Sequence, residues 1–389
     1  MSVVFQSSPR SSVGIEWELH LVDLETGELA PAAAELIAAA GGGDSQPIRK
    51  EYLPCTVEIV SGVHRRVADA ADEIAGHLDR LQRLGAERGI GLIGAGSHPF
   101  SRAASQRPCQ TRRYDAVADK NQWWGRQMAI CGSHVHVGVD RPSYVLPVTW
   151  AFARFSPYLL ALTASSPFWE GEDTGFASQR TMLFQQLPTN GLPYLFDTWT
   201  QFESYVDDIT ACGLIADVSE LRWDVRPSPR FGTVENRIPD AASTLAELAC
   251  QAALTQTLGE CFARSLDQGD SLGDLSPWFV KENKWRAARY GLDAQIITSD
   301  PEKRLLPLRE GLTELVGRLR PIAADLSCEA ELAHTLELLK TGASYERQRR
   351  AAAVGGTKAV VAALLEEAAS RPRPVRTEAE PARGDNDPL

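Results

Sequence analysis

Two glutamates separated by one residue, Glu16 and Glu18, are the first chemically informative feature of the sequence. They lie in the segment VGIEWELHLVD, residues 13–23, where large apolar residues alternate with polar ones, a pattern that predicts a β-strand. Side chains at positions i and i+2 leave the same face of a strand, so the two carboxylates are expected side by side. Their mutual repulsion is relieved by a divalent cation or a shared proton. An ordinary solvated strand face is the commoner origin of an isolated pair.

Two further strand-like segments repeat this spacing of polar residues. ICGSHVHVGVD, residues 130–140, carries His134 and His136, and RFGTVENRIPD, residues 230–240, carries Thr233, Glu235 and Arg237. An imidazole binds a metal through one nitrogen or, when protonated, donates to a phosphate oxygen. Structural histidines and a same-face ion pair are the alternatives when each segment is considered alone.

Taken together, these segments predict a site made mostly of oxygen ligands, which suits Mg²⁺ or Mn²⁺ better than zinc. The candidate ligands are Glu16, Glu18, Glu51, Glu58, His134 and Glu235. Such sites commonly hold nucleotide phosphates. The sequence contains no G-x-x-x-x-G-K-[ST] loop, and the G-x-G-x-x-G match at residues 89–94 lies in an apolar run that does not open a helix. If ATP is used, metal ions and arginines must therefore hold its phosphates.

The order of elements along the chain predicts the fold class. Strand patterns occupy residues 13–23, 51–60, 89–100, 130–140 and 230–240, and helical patterns occupy residues 66–88, 146–166, 242–267, 304–324, 328–340 and 344–369. Strands early and helices late favour an α+β fold, with an antiparallel sheet covered by helices, over a doubly wound repeat. We expect a flexible N-terminus at residues 1–12, a single catalytic domain at residues 13–370 and a disordered tail at residues 371–389.

Composition restricts the class of partner and the compartment. The net charge of −11 gives no general attraction to nucleic acid. No apolar run is long enough for a membrane span and no secretory leader is present, which predicts a soluble, cytoplasmic protein without a membrane partner. The seven cysteines are scattered without a C-x-x-C pair, so reduced thiols are expected rather than disulfides or structural zinc.

Several long motifs resemble one bacterial family. GIEWELHLVD, CGSHVHVGV, WDVRPSPRFGTVENRIPD and ENKWRAARYGLDA, in this order and spacing, are similar to the carboxylate-amine ligases also called glutamate-cysteine ligase type 2. The resemblance covers residues 13–370. It implies a glutamine-synthetase-like catalytic fold, in which a curved antiparallel sheet surrounds an ATP and metal funnel.

The resemblance also implies roles for individual residues. One metal ion would be held by Glu18, Glu51 and Glu58, and a second by Glu16, His134 and Glu235. Arg237, together with Glu235, would act on the transferred phosphoryl group, and His136 would contact a neighbouring phosphate oxygen. Arginine candidates for the remaining contacts are Arg180 for the substrate and Arg226, Arg286 and Arg289 for the nucleotide.

The implied reaction is ATP- and Mg²⁺-dependent amide formation through an acyl phosphate. The γ-carboxylate of glutamate and the amine of cysteine would give γ-glutamylcysteine, a step in the synthesis of glutathione or another low-molecular-weight thiol. Three alternatives remain open: a ligase with another amine acceptor, a phosphagen-type kinase on the same scaffold, and a non-catalytic nucleotide-binding regulator. The expected partners are small molecules, and a closed homo-oligomer is the base-rate expectation for assembly.

Overall fold

The computed structural model describes residues 3–109, 112–299 and 302–370. Within these ranges the strands are β1 (Val13–Asp23), β2 (Ile48–Lys50), β3 (Thr56–Val60), β4 (Ile90–Ile93), β5 (Ser133–Gly138), β6 (Phe168–Trp169), β7 (Glu172–Asp173), β8 (Asn190–Gly191), β9 (Arg222–Trp223), β10 (Val225–Ser228), β11 (Thr233–Asn236), β12 (Gln295–Ile297) and β13 (Leu305–Pro307). The α-helices are α1 (Ala33–Ala39), α2 (Val67–Ala86), α3 (Arg112–Arg126), α4 (Val145–Thr163), α5 (Gln179–Phe184), α6 (Trp199–Ala211), α7 (Leu245–Asp267), α8 (Pro277–Tyr290), α9 (Leu308–Leu326), α10 (Glu329–Thr341) and α11 (Ser344–Ala369).

A seven-stranded antiparallel sheet organises the molecule. Its order is β10-β11-β5-β1-β3-β2, and β4 pairs with the far end of β1. The long strand β1 is central because β3, β5 and β4 all pair with parts of it. Segments that are distant in sequence therefore lie next to each other on one sheet.

The two faces of β1 differ in chemistry, as the alternating pattern predicts. Ile15, Trp17 and Leu19 are almost completely buried on one face. On that face the helices α2, α4 and α7 pack against the sheet, and the Trp17 ring nitrogen donates to the Ala242 carbonyl at 3.1 Å. Burial of this apolar face fixes the register of the strand, because a shift by one residue would bury the glutamates instead.

Helix α4 belongs to the hydrophobic core. Together with the preceding turn, residues 142–163 form one helix that is long and apolar enough to cross a membrane by length and composition alone. Its most apolar window is 78% buried within the protein, and α7 and α8 pack against it. The apolar composition of α4 is therefore accounted for by packing.

The α+β class and the helix-covered antiparallel sheet are confirmed. Within the segment expected as a strand at 51–60, only Thr56–Val60 is a strand, because Pro54 lies in the turn before it. Helices α1, α3, α5, α6 and α8 were not predicted. In α6 a capping box between Thr198 and Gln201 helps to define the start.

The N-terminal residues expected to be flexible make defined contacts from Val3 onward, where the backbone amide donates to the Glu203 carboxylate at 3.0 Å. The Gln6 amide donates to the Pro229 carbonyl at 2.9 Å, and the Ser8 amide donates to the Val139 carbonyl at 3.0 Å. The predicted disordered tail, residues 371–389, lies outside the described residues.

Candidate active site

The carboxylates of β1 meet the side chains of three other strands on the open face of the sheet. Glu18 lies opposite Glu58 of β3, and Glu16 lies opposite His134 of β5. Further along β5, His136 lies opposite Glu235 of β11. Antiparallel pairing therefore places these groups on one surface, although they are separated by more than 200 residues.

Glu16 is the centre of this arrangement. Its Oε2 atom is 3.0 Å from Nδ1 of His134, and its Oε1 atom is 3.5 Å from Nε2 of His136. The same Nε2 atom lies 3.8 Å from the Glu235 carboxylate. Each histidine thus lies beside the Glu16 carboxylate, and His136 connects it to Glu235.

Three sets of ligand atoms lie close enough together to hold a metal ion, with all atoms of a set within 4.8 Å of one another. They are Glu18 with Glu51 and Glu58, Glu16 with Glu58 and His134, and Glu16 with His136 and Glu235. The first set coincides with one predicted metal site. The second predicted site, Glu16 with His134 and Glu235, is divided between the other two sets because Arg237 lies between His134 and Glu235.

Glu18, Glu51 and Glu58, hereafter the Glu58 end, form an acidic group in which burial and neighbouring acids outweigh the charges of Arg180 and Arg49. Burial, followed by the charge of Glu51, raises the pKa of Glu18 to about 8. Burial and then the charges of Glu16 and Glu51 raise the pKa of Glu58 well above its usual value. Without a cation, the raised pKa values favour the protonated forms of Glu18 and Glu58.

Glu16 and Glu235, hereafter the Glu235 end, are instead surrounded by basic groups. Arg226 donates from Nε to Glu235 at 2.7 Å, and Arg237 donates to the other carboxylate oxygen. Burial alone would raise the pKa of Glu235, but these two guanidinium groups outweigh it and hold the pKa far below its usual value. Burial likewise acts against Glu16, yet hydrogen bonds from His134 and His136 lower its pKa well below the usual range.

The two histidines differ in charge preference. Burial and the Arg237 charge lower the pKa of His134 to about 4, which favours a neutral ring with a nitrogen lone pair available to a metal. Burial also acts against the charged form of His136, but Glu235 and Glu16 outweigh it and raise its pKa. His136 is thus the histidine better suited to donate to a phosphate oxygen.

The donor chemistry fits a hard divalent cation. Carboxylate oxygens dominate all three sets, and such ligands suit Mg²⁺ or Mn²⁺ better than zinc. Among the described residues, the Nε2 atom of His134 is buried without a hydrogen-bond partner, and it lies 3.8 Å from Glu18. A cation between these groups would satisfy the nitrogen and relieve the repulsion at the Glu58 end.

A cavity of about 310 Å³ opens beside the acids. Four arginines line it, of which Arg180, Arg226 and Arg237 carry predicted roles and Arg222 was missed. Its remaining wall is partly apolar. Sequence patterns did not indicate these residues, because they come from separate loops and helices: Tyr52, Met128, Ile130, Phe184 and Leu187.

Arg180 is held rigidly at the wall of this cavity. Its guanidinium group donates to the carbonyl oxygens of Ile238 and Arg237 at 3.1 and 3.3 Å. The buried Asp240 carboxylate lies 3.9 Å away and also accepts from the hydroxyl of Ser178, the residue that caps α5. Asp240 therefore positions both the backbone and the side chain of Arg180.

Two predicted nucleotide contacts lie outside the cavity. Arg286 pairs with Glu282 at 2.8 Å on the surface of α8, and Arg289 donates to the Gly175 carbonyl and lies over the Phe176 ring. Neither side chain lines the cavity. Their roles remain predictions without a supporting contact to the site.

The family model of glutamate-cysteine ligase family 2 matches residues 12–369, nearly the whole described chain. The chain belongs to this family. Its members include "Putative glutamate--cysteine ligase 2-1" of Arthrobacter sp. (strain FB24), which is 46% identical over 96% of this chain and 100% of its own length. "Putative glutamate--cysteine ligase 2-2" of Rhodococcus jostii (strain RHA1) is 46% identical over 94% and 99% of the two chains. Membership makes this protein a ligase.

Solved structures share the fold at low sequence identity. Glutamate-cysteine ligase from Francisella tularensis, determined in complex with AMP, superposes with a TM-score of 0.63 at 13% identity over 93% of each chain. A bifunctional glutathione synthetase from Pasteurella multocida gives a TM-score of 0.57 at 15% identity, covering 91% of this chain and 51% of its own. Both likenesses concern the fold, and they confirm the predicted ligase scaffold.

Proposed function

We propose that this ligase joins the γ-carboxylate of glutamate to the amine of cysteine, with ATP, Mg²⁺ and an acyl phosphate intermediate. The observation that carries the proposal is one cavity lined by four carboxylates and four arginines. ATP and an amino acid with two carboxylates need this combination, because each anionic group must meet a cation before the two substrates can approach.

The metal ions would be held at both ends of the acidic surface. Glu18, Glu51 and Glu58 offer one set of ligands, and Glu16 with either histidine offers the other. Bound Mg²⁺ supplies positive charge that neutralises the phosphate oxygens of ATP during transfer. The protein contributes the fixed positions of these carboxylates, which follow from the register of β1, β3, β5 and β11.

In this proposal Arg237 stabilises the phosphoryl group during its transfer from ATP to the substrate carboxylate. Its guanidinium is oriented by Glu235 and lies 3.4 Å from Nδ1 of His134. Its Nε atom is buried without a hydrogen-bond partner among the described residues. A planar donor with an unsatisfied N–H group in a buried site favours the charge that develops on the transferred oxygens.

In the first step an oxygen of the substrate carboxylate attacks the γ-phosphorus, and ADP leaves. In the second step the amine nitrogen attacks the acyl carbon, phosphate leaves, and one proton is released. Arg180, which is 3% exposed, is suited to bind the carboxylate of the amino acid. The apolar wall formed by Met128, Ile130 and Phe184 restricts water, which would otherwise hydrolyse the acyl phosphate.

The test is a screen of ATP hydrolysis with Mg²⁺ over pairs of amino acids and amines, with mass spectrometry of the products. The proposal expects ADP, phosphate and γ-glutamylcysteine, with turnover dependent on both substrates. An amide with another amine would keep the ligase chemistry and reject cysteine. A phosphorylated product without an amide would indicate a kinase, and the absence of any turnover would indicate a regulator.

A further inference from the structure

The hairpin between β10 and β11 ends in a rigid tip beside the site. Its loop is closed by a hydrogen bond from the Phe231 amide to the Ser228 carbonyl at 3.1 Å, and Gly232 follows with a φ of 66°. The N-terminal segment fixes this loop, because the Ser8 hydroxyl donates to the Phe231 carbonyl at 2.7 Å. A side chain at position 232 would collide with the Gln6 carbonyl, so the two segments are in direct contact.

The ring of Phe231 lies on the same face of the sheet as the acids. It meets the His136 ring edge to face, with the ring centroids 5.8 Å apart at 89°. His136 in turn contacts Thr233 at 2.8 Å and Glu16 at 3.5 Å. His136 is the residue expected to contact a phosphate oxygen, and Phe231 is the side chain that lies next to it.

Phe231 nevertheless remains 57% exposed. A large aromatic side chain gains free energy from burial, and here a well-fixed backbone holds it in solvent. The Arg230 guanidinium lies 5.7 Å from the ring centroid, which adds a planar cation next to the aromatic surface. An exposed ring, a flanking guanidinium and a rigid support are the components with which proteins stack a nucleobase.

We propose that Phe231 is the platform on which the adenine base of ATP stacks. The proposal rests on the proposed function only in its use of ATP. The phosphates would lie beside Glu16, His136 and Glu235. Phe231 lies next to His136, further toward the end of the sheet. The phosphates and then the base would therefore meet these side chains in the order in which they occur in a nucleotide. Beyond this point the N-terminal segment packs on the sheet at Gly138, where a Cβ atom would collide with the Pro9 carbonyl.

The test compares binding of Mg²⁺-ADP and Mg²⁺-tripolyphosphate to the full-length protein by isothermal titration calorimetry. Phe231→Ala should weaken ADP binding by about 10-fold or more, the range of one base stacked on an aromatic ring. Tripolyphosphate binding should be unchanged, because that ligand has no base. Phe231→Trp should restore ADP affinity, and Trp278→Ala, at a residue that is 67% exposed on α8, is the matched control and should have no effect.

Three results would overturn the platform. Equal ADP affinity in Phe231→Ala and the unaltered protein would exclude stacking, and the use of ATP would stand. An equal loss of ADP and tripolyphosphate would mean that Phe231 acts on the phosphates by orienting His136. If the unaltered protein binds neither ligand, nucleotide use fails and the platform with it. Loss of ADP binding alone would support the platform even if no amide is formed in the substrate screen.

Discussion

The two ends of the acidic surface use the same residue type in opposite electrostatic settings. At the Glu235 end, Arg226 and Arg237 hold the carboxylate ionised. At the Glu58 end, burial and neighbouring acids raise the pKa of both Glu18 and Glu58. The Glu235 carboxylate is therefore ionised even without a metal ion, whereas Glu18 and Glu58 require a cation to become fully ionised.

The two ends should differ most in how a substitution changes the stability of the protein. Glu235→Gln leaves the buried Arg226 and Arg237 without their counter-charge and should lower the free energy of unfolding by about 3 kcal/mol or more. Glu58→Gln replaces a carboxyl group whose pKa burial raises well above its usual value, so less charge is lost, and it should change the free energy of unfolding by less than about 1 kcal/mol. Urea unfolding of both variants at pH 7 in the presence of a chelator measures the difference. Similar losses in the two variants would contradict the electrostatic distinction between the ends.

Arg237→Lys tests the chemistry of the Glu235 end. A planar donor is replaced by a point charge, so turnover should fall by about 100-fold while the ion pair with Glu235 is kept. The matched control is Arg286→Lys on the surface of α8, which should leave turnover nearly unchanged. An equal loss of steady-state ATP turnover in both variants would mean that Arg286, which lies outside the cavity, is as important for turnover as Arg237.

The pH dependence of Mg²⁺ binding tests the Glu58 end. The pKa of Glu18 is raised to about 8, so the metal-free protein carries a proton there below that pH, and Mg²⁺ must displace it. The Mg²⁺ affinity should therefore rise by about 10-fold per pH unit for each proton released, and level off above about pH 8. Calorimetric titrations from pH 6.5 to 8.5 give the slope. An affinity independent of pH would show that these carboxylates do not bind the metal or are already ionised.

The smallest effect is expected from a substitution of Asp240, which lies beside Arg180. The positive charge of Arg180 acts to lower the pKa of Glu18. Asp240→Asn keeps the shape of the side chain but removes the charge that positions Arg180. We expect the KM for the amino-acid carboxylate to rise by about 10-fold and the KM for ATP to stay nearly constant. The melting temperature should fall, because Arg180 loses a buried counter-charge and Asp240 also accepts hydrogen bonds from Ser165 and Ser178. A parallel rise in both KM values, or a fall in kcat alone, would argue against this positioning role.

The sequence allowed the acids of the site to be predicted because strand alternation is a local property. Glu16 and Glu18 share a face whatever the rest of the chain does, whereas Glu51 and Glu58 were assigned as ligands by analogy with the family that the chain resembles. The set of Glu18, Glu51 and Glu58 accordingly appears in the structure as predicted. Which histidine lies beside Glu235 could not be predicted, since it depends on the register between β5 and β11.

The arginines show more clearly which contacts cannot be predicted from sequence. The sequence does not distinguish among three candidate arginines, Arg226, Arg286 and Arg289. Of these, only Arg226 lines the cavity, because Arg286 pairs with Glu282 and Arg289 donates to the Gly175 carbonyl. Arg222 and the apolar wall had no local signature. The exposed ring of Phe231 likewise acquires meaning only from its contact with His136.

Residue types and their spacing were sufficient to predict the α+β class, the apolar and acidic faces of β1, the residue types of the candidate ligands and the family. Each of these depends on patterns within single segments. Three properties required the folded structure: the division of the acids into an end paired with arginines and an end with raised pKa values, the set of arginines that line the cavity, and the aromatic ring that contacts His136. These properties depend on distances between segments far apart in the chain, and folding sets those distances through strand register and the packing of helices on the opposite face.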